Sequence, residues 1–323
     1  MSEVFCNILR TNTCSVDYFR NENESSTKIA FVFCPMMNRI LDGNAFGGEF
    51  LINHGYDVVS IKVTNDDWFQ GLPEQLFNDI ETLLVERNYD ERIGYGASMG
   101  GYAAIAFSRK LKLDRAVCFS PQFAIDQSFD TRWQPYASLV EWRYRIELDQ
   151  INPKTRITVL FDPYNPDIEH VKRICEVCVN VALIALPYAG HPVTHFLSEM
   201  GLLKIIAQSV LDDGDLGEFR RRMRVEKKRS PTYQFTLSAQ ALARGHLAAA
   251  HNIMLGLIKN SGDRPDYHWH TSNILSAMGR ADEAIAAAQK ALALDPQNDN
   301  LANHLEMIRQ RHGNGNVLIA TEM

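Results

Sequence analysis

Ile93-Gly94-Tyr95-Gly96-Ala97-Ser98-Met99-Gly100-Gly101-Tyr102-Ala103-Ala104-Ile105-Ala106-Phe107 is an apolar run, a serine framed by glycines, and a run of small and apolar residues. The order reads as a strand, a sharp turn and a helix, with Ser98 at the apex. A serine held in so tight a turn leaves no room for side chains two positions before and after it, and glycine stands at both places. Its hydroxyl then projects from the end of the strand. The G-x-S-x-G pattern alone equally fits a glycine-rich turn, so the rest of the chain has to decide.

A serine is a weak nucleophile until a histidine takes its proton, and that histidine has to be held in one tautomer by a carboxylate. Downstream, Ile157-Thr158-Val159-Leu160-Phe161 is a β-branched, apolar strand candidate that ends at Asp162, with a second carboxylate at Asp167. Val179 to Pro187 is a further strand candidate, followed by Tyr188-Ala189-Gly190-His191-Pro192. Acid and histidine each fall in a loop past a strand end, and the chain order is serine, aspartate, histidine.

With that order after a G-x-S-x-G turn, the chain resembles the α/β-hydrolase family over roughly residues 1 to 212. Strands are expected near 28–34, 57–63, 92–97, 114–119, 156–161 and 179–187, and helices near 45–55, 73–88, 99–111, 167–177 and 193–212. The alternation implies a mostly parallel α/β sheet covered on both faces, to which the segment 4–20 is expected to add an antiparallel hairpin. The resemblance implies Ser98 as nucleophile, His191 as general base and then acid, and Asp162 as orienting carboxylate. Asp167 is the alternative acid; directly after Pro166 it equally suits the first turn of the next helix. The oxyanion hole implied by the family takes one N–H from Met99 and one from the loop Cys34-Pro35-Met36-Met37-Asn38. Pro35 has no N–H, so Met36 is the expected donor, with Met37 or the Asn38 side chain as alternatives. The family commonly carries His-Gly at this place, and this chain departs from it. His195 is expected to be structural.

Residues 120–155 lie where an insertion in this fold covers the active site. They include Arg132, Trp133, Tyr136, Trp142, Arg143 and Tyr144. Aromatic faces beside arginines suit sugars or anionic groups, so Trp133, Trp142 and Tyr136 are candidate substrate contacts. An ordinary amphipathic helix packed on the sheet is the competing reading.

The last third differs in kind. Gly245 and Gly279, Ser238 and Ser272, and Ala250 and Ala284 are each 34 residues apart. Together with Met278-Gly279-Arg280-Ala281-Asp282-Glu283-Ala284-Ile285 and the later Leu294-Asp295-Pro296, this resembles the tetratricopeptide repeat. The organisation expected is a catalytic domain over 1–212, a basic linker over 213–231, two repeats and a capping helix over 232–312, and a tail over 313–323. The linker holds Arg220-Arg221-Arg222-Met223-Arg224-Val225-Glu226-Lys227-Lys228-Arg229, a local charge of about +6. The repeats imply a protein partner or a homo-oligomer.

The chain has 323 residues and a net charge of −6. With no recognition motif beside its basic stretch, it gives no reason to expect nucleic acid. No apolar run is long enough to span a membrane and no leader is expected. The six cysteines are scattered and read as buried thiols of a cytoplasmic protein, and Cys175 and Cys178 lack a second pair for zinc. No cofactor and no metal are expected. The reading is a serine-dependent acyl-group hydrolase, esterase-like, acting on a small-molecule or saccharide ester through an acyl-serine. An O-acyltransferase acting on a saccharide and a non-catalytic binding protein are the alternatives.

Overall fold

The computed structural model describes residues 6–21, 26–85 and 87–313, so the tail from residue 314 on and the first two residues of the expected hairpin lie outside it. The described chain forms two compact units, Met1–Met223 and Arg224–Met323.

The first unit is built on strands β1 (Cys6–Arg10), β2 (Cys14–Phe19), β3 (Lys28–Phe33), β4 (Asp57–Val63), β5 (Glu91–Ala97), β6 (Arg115–Phe119), β7 (Arg156–Phe161) and β8 (Val181–Ala185). They form one sheet in the order β1-β2-β4-β3-β5-β6-β7-β8. β2 runs antiparallel to β1 and β4, and all other pairings are parallel. Every residue of β4 and β6 is buried in a sheet covered on both faces, and the polar ones among them are paired: Asp57 with the Tyr18 hydroxyl, Ser60 with the Ala45 N–H, Lys62 with Asp17 and Arg115 with Glu91. The helices of this unit are α1 (Gly48–Ile52), α2 (Gln75–Leu84), α3 (Met99–Ala106), α4 (Gln134–Ala137), α5 (Asp167–Val177), α6 (Val193–Glu199) and α7 (Leu203–Leu211), and α8 (Gly217–Glu226) starts in it and ends past Met223. The basic stretch expected as a linker therefore runs largely as helix.

The helices expected at 73–88 and 99–111 end earlier, at Leu84 and Ala106, and three further segments differ in kind. The helix at 45–55 shrinks to the five residues of α1, with Gly47 and Gly55 in the left-handed region at its ends. The helix at 193–212 breaks at Gly201, φ +64°. There the Leu202 N–H reaches the Leu197 carbonyl at 2.8 Å and the Gly201 N–H reaches that of Ser198 at 2.9 Å, which closes α6 with a Schellman cap. Residues 120–155 hold a single 3₁₀ turn, Thr131–Trp133, and α4, in place of an amphipathic helix. Buried Gln70 serves this irregular backbone: its carbonyl accepts the Arg143 and Tyr144 N–H groups at 2.8 Å each, and its amide donates to the Tyr144 carbonyl at 3.1 Å.

The β5–α3 turn is as tight as its sequence requires. Ser98 sits at φ 54°, ψ −117°. A Cβ on Gly96 would stand 2.3 Å from the Gly100 carbonyl, and one on Gly100 would stand 2.6 Å from the Phe33 carbonyl oxygen.

The second unit consists of α9 (Pro231–Ala243), α10 (Leu247–Ser261), α11 (Pro265–Ala277), α12 (Ala281–Leu294) and α13 (Asp299–Gly313). α9, α11 and α13 start 34 residues apart, as do α10 and α12. Gly245 and Gly279 turn the hairpins at φ +76° and +75°. Ala250 and Ala284, at matching places, are fully buried where helices touch. The same offset governs a polar contact. Ser238 donates to the Ala250 carbonyl and so accepts from His270 Nε2 at 3.1 Å, while Ser272 donates to the Trp269 carbonyl and so accepts from His304 Nε2 at 2.6 Å.

Burial brings the His270 imidazole down from 6.5 to about 4, and it lowers His304 as well. The folded unit thus binds fewer protons than the unfolded chain between those values, so its stability is full above about pH 6.5 and falls as pH drops toward 4. Amide exchange corrected for intrinsic rates is expected to show α9 and α11 about 2 kcal/mol less protected at pH 5 than at pH 7. His270→Gln is expected to remove the larger part of that dependence.

Candidate active site

The carboxyl ends of β5, β6 and β7 and the loop after β8 converge on Ser98. The elbow is fixed from below by the Ser98 N–H donating to the Phe119 carbonyl at 2.8 Å, and from above by the Tyr102 N–H on the Ser98 carbonyl at 3.0 Å. Ser98 Oγ lies 2.9 Å from His191 Nε2. On the far side of the ring, His191 Nδ1 lies 2.9 and 3.0 Å from the two carboxylate oxygens of Asp167. An ionised carboxylate only accepts, so Nδ1 carries the proton and Nε2 is left to accept from the Ser98 hydroxyl.

The expected contact of Asp162 with His191 is replaced by that of Asp167. Asp162 is fully buried. Its oxygens accept the N–H groups of Tyr164 at 2.9 Å, Tyr188 at 3.1 Å and Gly190 at 2.9 Å. It therefore ties down the loop that carries His191, and no hydrogen bond joins it to the imidazole. Burial pushes its carboxyl up, partly offset by those N–H groups. Asp167 stands in the first turn of α5, its own N–H held by Asn165 Oδ1 at 2.8 Å. Burial would raise it, but the charges and hydrogen bonds of His191 and Arg132 outweigh burial and hold it below the usual carboxylate range. Heading α5 and facing His191 are thus one placement.

Gln122, just past β6, completes the setting of Ser98. Its Nε2 donates to Ser98 Oγ at 2.9 Å, and its Oε1 accepts from Trp68 Nε1 at 3.3 Å. An indole N–H can only donate, which fixes the amide orientation and makes Ser98 the acceptor. The hydroxyl proton of Ser98 is then free for His191. Sequence reasoning passed over Gln122, although its place directly after the strand beside β5 is where open α/β sheets gather site residues.

In the 34–38 loop, the Met37 N–H is taken by Asp66 Oδ1 at 2.7 Å, and the Asn38 amide by the carbonyls of Ile40 and Val63. Of the candidates in that loop, Met36 keeps its N–H uncommitted among the described residues, as Met99 does at the start of α3. The Trp133 ring packs edge-on to His191 at 5.1 Å between centroids, and Trp68 touches both Trp133 and Tyr136. Trp142 instead packs on Tyr102 and under Arg145. An 830 Å³ cavity lined by Phe19, Phe46, Phe50, Tyr95, Leu203 and Ala207 contains none of the residues around Ser98. Among the described residues no cluster of three or more His, Cys, Asp or Glu is placed to hold a metal ion, and no helix is long and apolar enough to cross a membrane.

Neither protein-family models nor curated proteins match the chain. Among solved structures it is similar to the capsule O-acetyltransferase of Neisseria meningitidis serogroup A, at 11% identity over 63% of this chain and 93% of that one, TM-score 0.42. It is similar to carboxylesterase CesB from Bacillus subtilis, at 12% identity over 67% and 93%, TM-score 0.43. A Staphylococcus aureus protein of unknown function matches at 10% identity over 61% and 93%, TM-score 0.46. At these identities and scores the likeness assigns no activity to this chain.

Asp162→Asn sets an amide NH₂ against backbone N–H groups that now donate to a carboxylate. It is expected to cost about 2–4 kcal/mol in urea-induced unfolding of the first unit, since a buried donor left unpaired costs about 1–3 kcal/mol. Asp167→Asn keeps an acceptor for Arg132 and is expected to cost less than half as much.

Proposed function

We propose that the first unit is a serine-dependent acyl-group hydrolase acting through an acyl-Ser98 intermediate. The observation that carries this reading is the unbroken line of hydrogen bonds from Gln122 to Ser98, His191 and Asp167, in which every donor and acceptor role is fixed by its neighbour.

Ser98 Oγ attacks the ester carbonyl carbon while its proton passes to His191 Nε2. Asp167 holds Nδ1–H and stabilises the imidazolium. The carbonyl electrons move to an oxyanion, for which the N–H groups of Met99 and Met36 are the donors. Collapse of the tetrahedral intermediate breaks the bond to the leaving alcohol, which takes the Nε2 proton and departs. Water then gives a proton to His191 and attacks the acyl-enzyme, and the second tetrahedral intermediate returns that proton to Ser98 as the acid leaves. A saccharide hydroxyl in place of water turns the same cycle into acyl transfer. Trp133 beside His191 and Tyr136 beside Trp68 offer aromatic faces that suit a sugar ring, which is the observation in favour of that second reading. We assign the second unit to tetratricopeptide-like repeats that serve a protein partner or self-association, on the strength of its 34-residue helical period.

A fluorophosphonate probe is expected to label Ser98, identified by peptide mass spectrometry. Ser98→Ala should abolish both labelling and short-chain ester turnover with the fold retained; undiminished turnover overturns the reading. Asp167→Asn is expected to lower kcat by about 10⁴, through the wrong imidazole tautomer. Gln122→Leu removes one hydrogen bond to the attacking oxygen and should slow labelling about 10- to 100-fold. Offering a saccharide during turnover separates hydrolysis from transfer by the product formed.

A further inference from the structure

Asp167 has a second partner besides His191. Arg132 Nη2 reaches Asp167 Oδ1 at 2.7 Å and, with the same nitrogen, Asp130 Oδ2 at 2.6 Å. Arg132 Nε adds bonds to both oxygens of Asp130 at 2.9 and 3.1 Å, and the Arg132 N–H adds one at 3.1 Å. Asp130 also accepts from Trp133 Nε1 at 3.1 Å and from His170 Nε2 at 3.0 Å. His170 is fully buried, and its Nδ1 accepts the Phe123 N–H at 3.0 Å, so it is a neutral donor toward Asp130. Burial would raise the Asp130 carboxyl, but the hydrogen bonds from His170 and Arg132 overcome it and hold the group well below the usual range. Two carboxylates, each 3% exposed or less, thus share one guanidinium directly behind the imidazole.

We infer that Arg132 and Asp130 are a charge-balanced pair of positioning residues that hold Asp167 in place and set how readily His191 accepts a proton. This rests on the proposed Ser98–His191–Asp167 reading. With His191 neutral, Asp130, Arg132 and Asp167 sum to −1, the charge Asp167 alone would give. When His191 takes the Ser98 proton the cluster becomes neutral. Arg132 without Asp130 would cancel Asp167 and leave the imidazolium unsupported, whereas Asp130 without Arg132 would set two buried anions behind the ring. Among the described residues, the Ser98 hydroxyl from the β5–α3 turn, Asp162 from the end of β7 and His170 from α5 face the cluster as well, and all remain in every variant below.

The test is the pH dependence of fluorophosphonate labelling of the full chain, measured as a second-order rate constant over the pH range in which circular dichroism shows each variant fully folded. Asp130→Asn is expected to move the acid limb of the profile down by about one pH unit and Arg132→Gln to move it up by about one, a tenfold change in proton affinity for one nearby charge. The double variant is expected to return the limb to the wild-type position. Arg132→Lys keeps the charge and loses the planar fork, so it should leave the limb in place and slow labelling. The imidazole N–H resonance of His191 reports the same shifts by NMR where labelling is slow. Coinciding limbs in all variants, or an Arg132→Gln effect confined to KM for an anionic ester, overturn the inference and leave the triad standing. Absence of labelling and turnover in the wild type overturns the triad reading itself.

Discussion

The contact between Gly100 and the carbonyl oxygen of Phe33 is the constraint on which the rest of the first unit depends. A Cβ there would approach to 2.6 Å, so only glycine lets α3 start this close to the end of β3. That closeness forces Ser98 into positive φ, a conformation costing about 1–3 kcal/mol for a residue with a side chain. The strain persists because the Ser98 N–H and C=O are each held by a neighbouring element. Once Ser98 is fixed, the 34–38 loop, Gln122 and His191 all fall around its hydroxyl, since each follows the carboxyl end of a strand in one sheet.

What the sequence made legible was what sterics and chain order decide. The glycines around Ser98 follow from the absence of space, and the alternation of strands and helices follows from continuous apolar runs broken by turn residues. The choice between Asp162 and Asp167 was not legible, because both are buried, both follow β7, and linear order says nothing of which one faces the imidazole. Treating a place at the head of α5 and orientation of His191 as rival roles was the physical error: Asp167 stands in the first turn of α5 without capping it by a side-chain hydrogen bond, and its carboxylate is turned to His191. Gln122, Asp130 and Arg132 lie in an irregular segment with no period to place them. His170 was within reach of the sequence, since it stands three residues after Asp167 on one face of α5.

In the second unit the period is written into contacts as well as composition. Serine on one helix meets histidine on the next first-position helix, at Ser238 with His270 and at Ser272 with His304. The glycine, serine and alanine spacings carry the 34-residue period, and the two histidines, 34 residues apart, belong to the same pattern. They also place α13, expected only as a cap, in register with α11.

Three carboxylates near Ser98 are each buried to 3% exposure or less, and burial of an anion demands compensation. Asp162 obtains it from three backbone N–H groups, which cannot change their charge, and its effect is to hold a loop. Asp130 obtains it from an arginine, a neutral histidine fixed by its other nitrogen, and an indole, so it too is locked in one state. Asp167 alone among the three counts on a partner, His191, that can gain a proton from a hydroxyl within 2.9 Å. A buried acid compensated by fixed donors builds structure. One compensated by a group that can itself be charged makes the movement of that proton favourable, and this difference in partners, more than position in the chain, separates the carboxylate of the site from the two that support it.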